Sequence, residues 1–229
     1  MPIPTAPKLS SAAAILSHTR VEPARRAFHL VLAVGFVAIA AQLAVPIPGT
    51  PVPVTMQDLA VLVVGVLLGP VGGATALGGY LAVGALGAPV FSNGHGGFAW
   101  LLGPSGGYLL AYPMAAWVMG TIASRARATE REGRSMEVRG GAAAVPGEGT
   151  PGSSSPAIRR RSALALLGAL AAQAVIFGGG LAQLLLLTSQ EVGSALALGV
   201  YPFIPGVVVK TGLLVAFVAT LERFGPSPE

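Results

Sequence analysis

The chain has 229 residues, of which 53% are hydrophobic and only 10% charged, with a mean hydropathy of +0.72. Soluble domains carry about 25% charged residues, so this chain lacks the charge to cover a water-exposed surface. The composition therefore excludes a soluble enzyme, a nucleic-acid-binding domain and a disordered scaffold. It predicts an all-α polytopic protein of the lipid bilayer, whose 32 glycines and 19 prolines favour closely packed, interrupted helices.

The basic residues explain the pI near 10.2 and the net charge of +5 without a nucleic-acid partner. They cluster in polar segments before, between and after the apolar runs, which is typical of the cytoplasmic side of a membrane protein. Only Lys210 lies within an apolar stretch. The absence of cysteine excludes disulfides and thiol catalysis, and three scattered histidines predict neither a metal site nor a cofactor.

Six apolar runs predict six transmembrane helices, with both termini on the cytoplasmic side of the membrane. The runs are Phe28–Val45, Leu59–Gly69, Ala74–Ala88, Tyr108–Ala123, Ser162–Leu187 and Ala195–Thr220. The first could also be a signal peptide, but it is long for a signal core and more runs follow. A tight turn is predicted at 69–73, and Pro202 and Pro205 should interrupt the last run.

The same pattern predicts the organisation of the rest of the chain. A flexible leader at 1–27 precedes helices one to four, which occupy 28–123 and include a glycine-rich outer loop at 89–107. A segment at 124–161, rich in arginine and of low complexity, is predicted to be a disordered cytoplasmic linker. Helices five and six then occupy 162–222, and a cytoplasmic tail covers 223–229.

Lys210 is the first candidate binding residue. An ionisable group deep in a bilayer costs roughly 2.5–3.5 kcal/mol on insertion scales and usually has a function. We therefore expect Lys210 to face inward and bind an anionic group such as a carboxylate, although a lysine can also extend to the headgroups. Asp58 is interpreted as a carboxylate that suits a helix N-terminus. Gln57 and Asp58 could instead contribute to a site below the first outer loop.

The glycine-rich outer loop is the second candidate. An asparagine side chain suits an amide or ureido group, glycines let backbone amides approach a ligand, and aromatic rings can enclose an apolar one. The candidate contacts are Asn93, the backbone of Gly94, Gly96 and Gly97, and the rings of Trp100 and Tyr108. The alternative is an exposed hairpin whose aromatic residues anchor the membrane edge.

Two short motifs resemble those of other functional classes, but both match their patterns poorly. The segment GVVVKTG at 206–212 lacks the glycine that precedes the lysine of a phosphate-binding loop, so no ATPase is predicted. The segment GPSG around Ser105 matches the G-x-S-G of intramembrane serine proteases. In that family the histidine base comes from a later helix, whereas all three histidines here precede Ser105. A protease is therefore the alternative from another functional class, and the order of these residues does not favour it.

Three longer segments resemble the BioY family, the substrate-binding subunits of biotin transporters. They are VPVTMQDLAVLVVGVLLGPVGGATALGGYLAVGALGAPVF, then GGFAWLLGPSGGYLLAYPMAA, and ALGVYPFIPGVVVK near the end. The resemblance covers about residues 30–122 and 163–221. It implies a six-helix subunit of the energy-coupling-factor (ECF) type, not an enzyme, that binds biotin in a cavity closed by outer loops. A separate module of two ATPases and a transmembrane coupling protein would supply the energy.

The resemblance also implies roles for the candidate residues. Lys210 would bind the biotin carboxylate, Asn93 and the Gly94–Gly97 backbone would bind the ureido group, and Trp100 and Tyr108 would line the ring pocket. His95 or Gln57 could hold the ureido group instead. A subunit for another small vitamin or carboxylate is the alternative within transport, and the chain could act as a homodimer.

The sequence departs from the family pattern at two places. The family has an aspartate three residues before the lysine of the last helix, and here that position is Val207. This removes an expected polar partner. The family also presents an Ala-x-x-x-Ala face on its first helix to the coupling protein, for which Ala40 and Ala44 are the nearest match.

Overall fold

The computed structural model describes residues 10–139, 156–189 and 191–224, and confirms the prediction of an all-α fold. The helices of more than four residues are α1 (Ser10–Gln42), α2 (Gln57–Ala85), α4 (Gly106–Arg139), α5 (Pro156–Thr188), α6 (Val192–Gly199) and α7 (Ile204–Phe224). Between α2 and α4 lies the one-turn helix α3 (Phe98–Leu101). The strands β1 (Ala44–Val45) and β2 (Val54–Thr55) pair antiparallel between α1 and α2.

Helix ends differ from prediction in the polar segments. α1 begins at Ser10, inside the predicted leader, and α4 continues to Arg139, inside the predicted linker. Arg, Glu, Met and Ala in these segments have high helix propensity, which the count of charged residues does not reveal. The stretch 140–155, in the middle of the predicted linker, lies outside the described residues, as do 1–9 and 225–229.

Apolar side chains cover the outside of the molecule as well as its core. Phe28, Val31 and Ile39 of α1 are 61%, 69% and 69% exposed, and other helices expose leucine and valine in the same way. Such a surface is stable in lipid and unstable in water. Among the described residues, four stretches are long and apolar enough to cross a membrane: Pro23–Gln42, Gln57–Ala85, Ser162–Thr188 and Val192–Leu221.

The helix α2 is a hairpin of two antiparallel arms. Gly69 has φ +72° and ψ −174°, outside the helical region, and Pro70 follows it. In a straight helix Gln57 and Tyr80 would lie roughly 35 Å apart at 1.5 Å per residue. In the structure the Gln57 Nε2 donates a hydrogen bond of 2.6 Å to the Tyr80 hydroxyl. The turn predicted at 69–73 is therefore confirmed, and it returns the chain to the end of the molecule where α2 began.

An arginine satisfies a carbonyl at this turn. The oxygen of Val66 would normally accept the N–H of Pro70, four residues on, but proline has no N–H. The Arg127 Nη1 of α4 donates to that oxygen at 2.9 Å, and its Nη2 donates to the Ser124 hydroxyl at 3.3 Å. The Arg127 guanidinium thus completes the backbone hydrogen bonding of the hairpin.

Glycines allow the helices to approach closely, as the composition predicts. A Cβ atom added to Gly107 of α4 would lie 2.2 Å from the carbonyl oxygen of Gly179 in α5. One added to Gly65 of α2 would lie 2.7 Å from the carbonyl oxygen of Ala116 in α4. Small residues at such crossings maximise packing where the hydrophobic effect cannot drive association. The bundle is therefore built around α4, with α2 on one side and α5 on the other.

The predicted interruption of the last apolar run is confirmed. α6 ends at Gly199, a 3₁₀ turn covers Tyr201–Phe203, and α7 begins at Ile204. Pro205 lies in the first turn of α7, where its missing N–H has no intrahelical partner to lose. Lys210 consequently lies near the start of α7, at the same end of the molecule as the β-hairpin and the 86–105 loop.

Candidate binding site

A cavity lies among the beginnings of α2, α4 and α7 and the middle of α5. The segment Val52–Thr55, which contains β2, closes one side. Seven polar residues, apart from two tyrosines, line its wall: Thr55, Gln57, Asp58, Ser92, Ser105, Gln173 and Lys210. The remaining wall is apolar or aromatic, so the cavity suits a small ligand with an apolar body and a few polar atoms.

An ion pair between Lys210 and Asp58 is the central feature of this cavity. The Lys210 Nζ lies 2.7 Å from the Asp58 Oδ1, and the two side chains are only 8% and 14% exposed. The same Nζ donates to the backbone oxygen of Thr55. An ammonium has three N–H donors, so one remains after these two bonds. Lys210 therefore faces inward as predicted, and its charge is already compensated by the only aspartate in the chain.

Gln173 of α5 extends this network to a third helix. Its Nε2 donates to the Asp58 Oδ2 at 3.2 Å, so the two carboxylate oxygens bind Lys210 and Gln173 respectively. Gln173 is 3% exposed, and its Oε1 has no hydrogen-bond partner within the described ranges. A buried acceptor without a partner is costly, which makes this atom a candidate ligand contact.

Gln57, a predicted site residue, lines the cavity but is also bound within the protein. Its Nε2 donates to the hydroxyl of Tyr80, which donates in turn to the backbone oxygen of Val90 at 2.9 Å. Its Oε1 accepts a bond of 3.3 Å from the Thr55 hydroxyl. The side chain therefore ties the two arms of α2 to the 86–105 loop.

Tyr108 lines the cavity too, with Phe177 and Phe203 rather than with Trp100. Its ring centroid lies 6.3 Å from that of Phe177 and 6.2 Å from that of Phe203. Its hydroxyl donates to the backbone oxygen of Gly199 at 2.7 Å. Aromatic side chains at these distances form a rigid apolar wall. The sequence analysis included neither phenylalanine among the site residues.

The other predicted loop residues lie beside the cavity and do not line it. Asn93 is exposed with φ +58°, and the Trp100 ring stacks on His95 at 3.8 Å. The backbone N–H of Gly94 donates to the Gln42 Oε1 at 2.9 Å. Of the residues predicted for the site, Lys210, Gln57 and Tyr108 line the cavity. The others do not: Asn93, Trp100 and the backbone of Gly94, Gly96 and Gly97. Their contact with a ligand remains a prediction.

Two residues that were not predicted as the main site residues line the cavity: Asp58, which was only an alternative, and Gln173, which was not predicted at all. Asp58 does lie in the first turn of α2, as expected of a helix N-terminal carboxylate, but it also supplies the carboxylate that Val207 lacks. In the sequence Asp58 is conspicuous as the only aspartate, placed directly before an apolar run, but nothing there pairs it with Lys210. Gln173 lies in the middle of the apolar run of α5, which also contains Gln183, so the sequence does not single it out.

The geometry around Ser105 does not favour a protease. The His95 Nδ1 lies 2.8 Å from the Ser92 backbone oxygen, and its ring is stacked on Trp100. No hydrogen bond joins His95 to Ser105 in the part of the chain that the structure describes. Ser105 therefore contributes a hydroxyl to the cavity wall without a base to activate it.

These features define a polytopic membrane protein with a polar, ion-paired cavity at one end of a glycine-rich helical bundle. The chain belongs to the BioY family, whose profile matches residues 11–227. Members of this family are transporter components, so membership confirms that the chain is not an enzyme. The resemblance inferred from the three sequence segments is confirmed.

Curated relatives carry the same family name. The chain is 42% identical over 78 residues to "Probable biotin transporter BioY" of Bacillus subtilis, an alignment of 34% of this chain and 42% of the relative. It is 41% identical over 81 residues to "Biotin transporter BioY" of Thermotoga maritima, which covers 35% of this chain and 48% of the relative. The alignments thus span about half the length of the curated relatives or less.

The fold is similar to that of a solved structure, the S-component for biotin from an ECF-type ABC transporter. The TM-score is 0.65 at 24% sequence identity, over 89% of this chain and 94% of that chain. This likeness shows that the two share a fold.

Proposed function

We propose that this protein is a membrane-embedded substrate-binding subunit that captures biotin from outside the cell and releases it inward. The single observation that carries the proposal is the cavity, in which a buried ion pair and an aromatic wall meet within a BioY fold. The printed names of the relatives and of the structural neighbour support biotin as the ligand.

The chemistry of the cavity fits the chemistry of biotin. Biotin combines an apolar bicycle with a ureido group and a carboxylate. Tyr108, Phe177 and Phe203 offer an apolar wall for the bicycle, and Lys210 offers its third N–H to a ligand oxygen. The sequence predicts the carboxylate as that oxygen. Because Asp58 already neutralises Lys210, a neutral carbonyl oxygen would suit the same donor.

Energy for transport would come from a separate module. Two ATPases and a transmembrane coupling protein remain a prediction from the family resemblance, as does a homodimer. Ala40 and Ala44 do not form the helix face expected for the coupling protein. Ala40 is 7% exposed in the core of the bundle, and Ala44 lies in β1, beyond the end of α1. A coupling protein would have to dock on other residues.

Thermal unfolding of the detergent-purified protein tests this function. A ligand that binds only the folded state stabilises it by about 4 kcal/mol at a thousandfold excess over Kd. We expect a large rise in Tm with biotin, and a much smaller one in the Lys210→Ala variant. Val209→Ala is the matched control, because Val209 neighbours Lys210 in the sequence and its side chain is 63% exposed. No rise with biotin at any concentration would refute the function.

Biotin methyl ester then identifies the oxygen that Lys210 binds. If the partner is the carboxylate, the ester should stabilise the wild type less than biotin does, and the difference should disappear in Lys210→Ala. Equal stabilisation by biotin and its ester would assign Lys210 to the ureido oxygen.

A further inference from the structure

Gln173 is a polar side chain in an apolar environment. Ala169, Ala172 and Ile176, within one turn of it on α5, are all buried, and Gln173 itself is 3% exposed. A buried amide in a membrane-spanning helix must find hydrogen-bond partners to offset its desolvation. The structure supplies a partner for only one end of this amide.

The bond to Asp58 fixes the orientation of the Gln173 amide. An ionised carboxylate accepts hydrogen bonds and donates none, so the atom 3.2 Å from the Asp58 Oδ2 is the nitrogen. The oxygen therefore lies at the other end of the amide. This Oε1 is buried and unpaired among the described residues, in a side chain that lines the cavity.

We propose that Gln173 determines ligand specificity by accepting a hydrogen bond from a ligand N–H on its Oε1. Asp58 acts as a positioning residue, since one carboxylate oxygen holds Lys210 and the other holds Gln173. In addition to the serine hydroxyls, the cavity thereby presents the third N–H of Lys210 as a donor and the Gln173 Oε1 as an acceptor. A group that carries a carbonyl oxygen beside an N–H matches both.

This inference rests on the proposed function, which makes the ureido group of biotin the source of the N–H. Its competitor is a purely structural role, in which Gln173 serves only to join α5 to α2 through Asp58. A structural role predicts lower stability after substitution but unchanged preference among ligands. A specificity role predicts a changed preference.

The test compares biotin with two analogues, each carrying a methyl group on one ureido nitrogen. We expect wild-type protein to bind one of the analogues about tenfold more weakly than biotin, the size of one buried hydrogen bond. Gln173→Met, which keeps the length and removes the amide, should bind biotin about tenfold more weakly and lose the preference. If the methionine variant does not fold, Gln173→Asn can be used in its place. This variant retracts the amide by one methylene and should also reduce the preference for biotin.

Gln183→Met is the matched control. Gln183 lies on the same helix but donates to the backbone oxygens of Leu101 and Gly103, outside the cavity lining. Its substitution should leave the preference for biotin over the analogues unchanged even if the Tm falls. If wild type binds biotin and the Gln173 variants keep its full preference, this inference is wrong and the proposed function stands. If the wild-type protein does not bind biotin, the proposed function itself is wrong, and the inference that rests on it is wrong too.

Discussion

The Lys210 ammonium and the Asp58 carboxylate lie 2.7 Å apart although 152 positions separate them in the chain. Their bond joins the start of the second predicted span to the start of the last helix. Because both side chains are largely buried, each charge offsets the desolvation cost of burying the other in an apolar environment. The pair therefore stabilises the charges that it buries, and under the proposed function it also takes part in binding.

Removing one member of this pair should destabilise the protein more than removing both. Asp58→Asn or Lys210→Met alone leaves a buried charge without its counter-ion, at a cost of about 3–5 kcal/mol. The double variant leaves no charge and should recover much of the loss. Thermal unfolding in detergent without ligand measures this, and losses in the double variant that equal the sum of the single ones would contradict the pairing.

Gly180→Ala should disable the aromatic wall, whereas Gly178→Ala should not. A Cβ at Gly180 would lie 2.2 Å from ring atoms of Tyr108, which would have to move. A Cβ at Gly178, two residues earlier, has nothing within 4 Å. We expect at least a tenfold loss of biotin affinity for the first variant and less than twofold for the second. Equal affinities in equilibrium binding would show that the wall does not contact the ligand.

Arg127→Met should destabilise the α2 hairpin. The variant leaves the Val66 oxygen without the donor that replaces the missing N–H of Pro70, and an unsatisfied buried carbonyl costs about 1–3 kcal/mol. Arg125→Met is the control, because Arg125 lies on the same helix and is exposed. The measurement is the Tm of the ligand-free protein. Equal values for the two variants would argue against this role.

Gln42→Leu should loosen the outer loop and speed biotin release. The Gln42 side chain accepts from the Gly94 N–H at 2.9 Å and donates to the Phe91 oxygen at 3.2 Å. These bonds fix the loop beside Ser92, which lines the cavity. We expect a several-fold faster dissociation of labelled biotin, and an unchanged rate in Leu43→Ala, whose side chain is 60% exposed. Unchanged dissociation in Gln42→Leu would place the loop outside the exit route.

Local patterns predicted the fold well and the site only in part. The turn at Gly69 and the interruption before α7 follow from glycine and proline, whose effects act within a few residues. Lys210 was identifiable because a lysine in an apolar run is rare. The partnership of Asp58 with Lys210, and of Gln173 with both, depends on three helices that meet in space. A single sequence carries no signal for such a meeting.

The outer loop presents the opposite case. Its glycines, asparagine and aromatic residues are all of types that bind ligands, and composition cannot tell which of them turn toward the cavity. The structure uses several of them to build the loop itself: Asn93 adopts a left-handed conformation, and Trp100 stacks on His95. Ser92 and Ser105, which are less conspicuous in sequence, reach the wall instead.

The distance along the chain between Asp58 and Lys210 also sets an order of assembly. A ribosome adds about 5–20 residues per second, so the 152 positions between the pair correspond to roughly 8–30 s of synthesis. During that interval the α2 hairpin carries a carboxyl group whose counter-ion has not yet been synthesised. Gln173 is the first of the two partners to emerge. The ion pair can therefore form only after synthesis has reached the last helix.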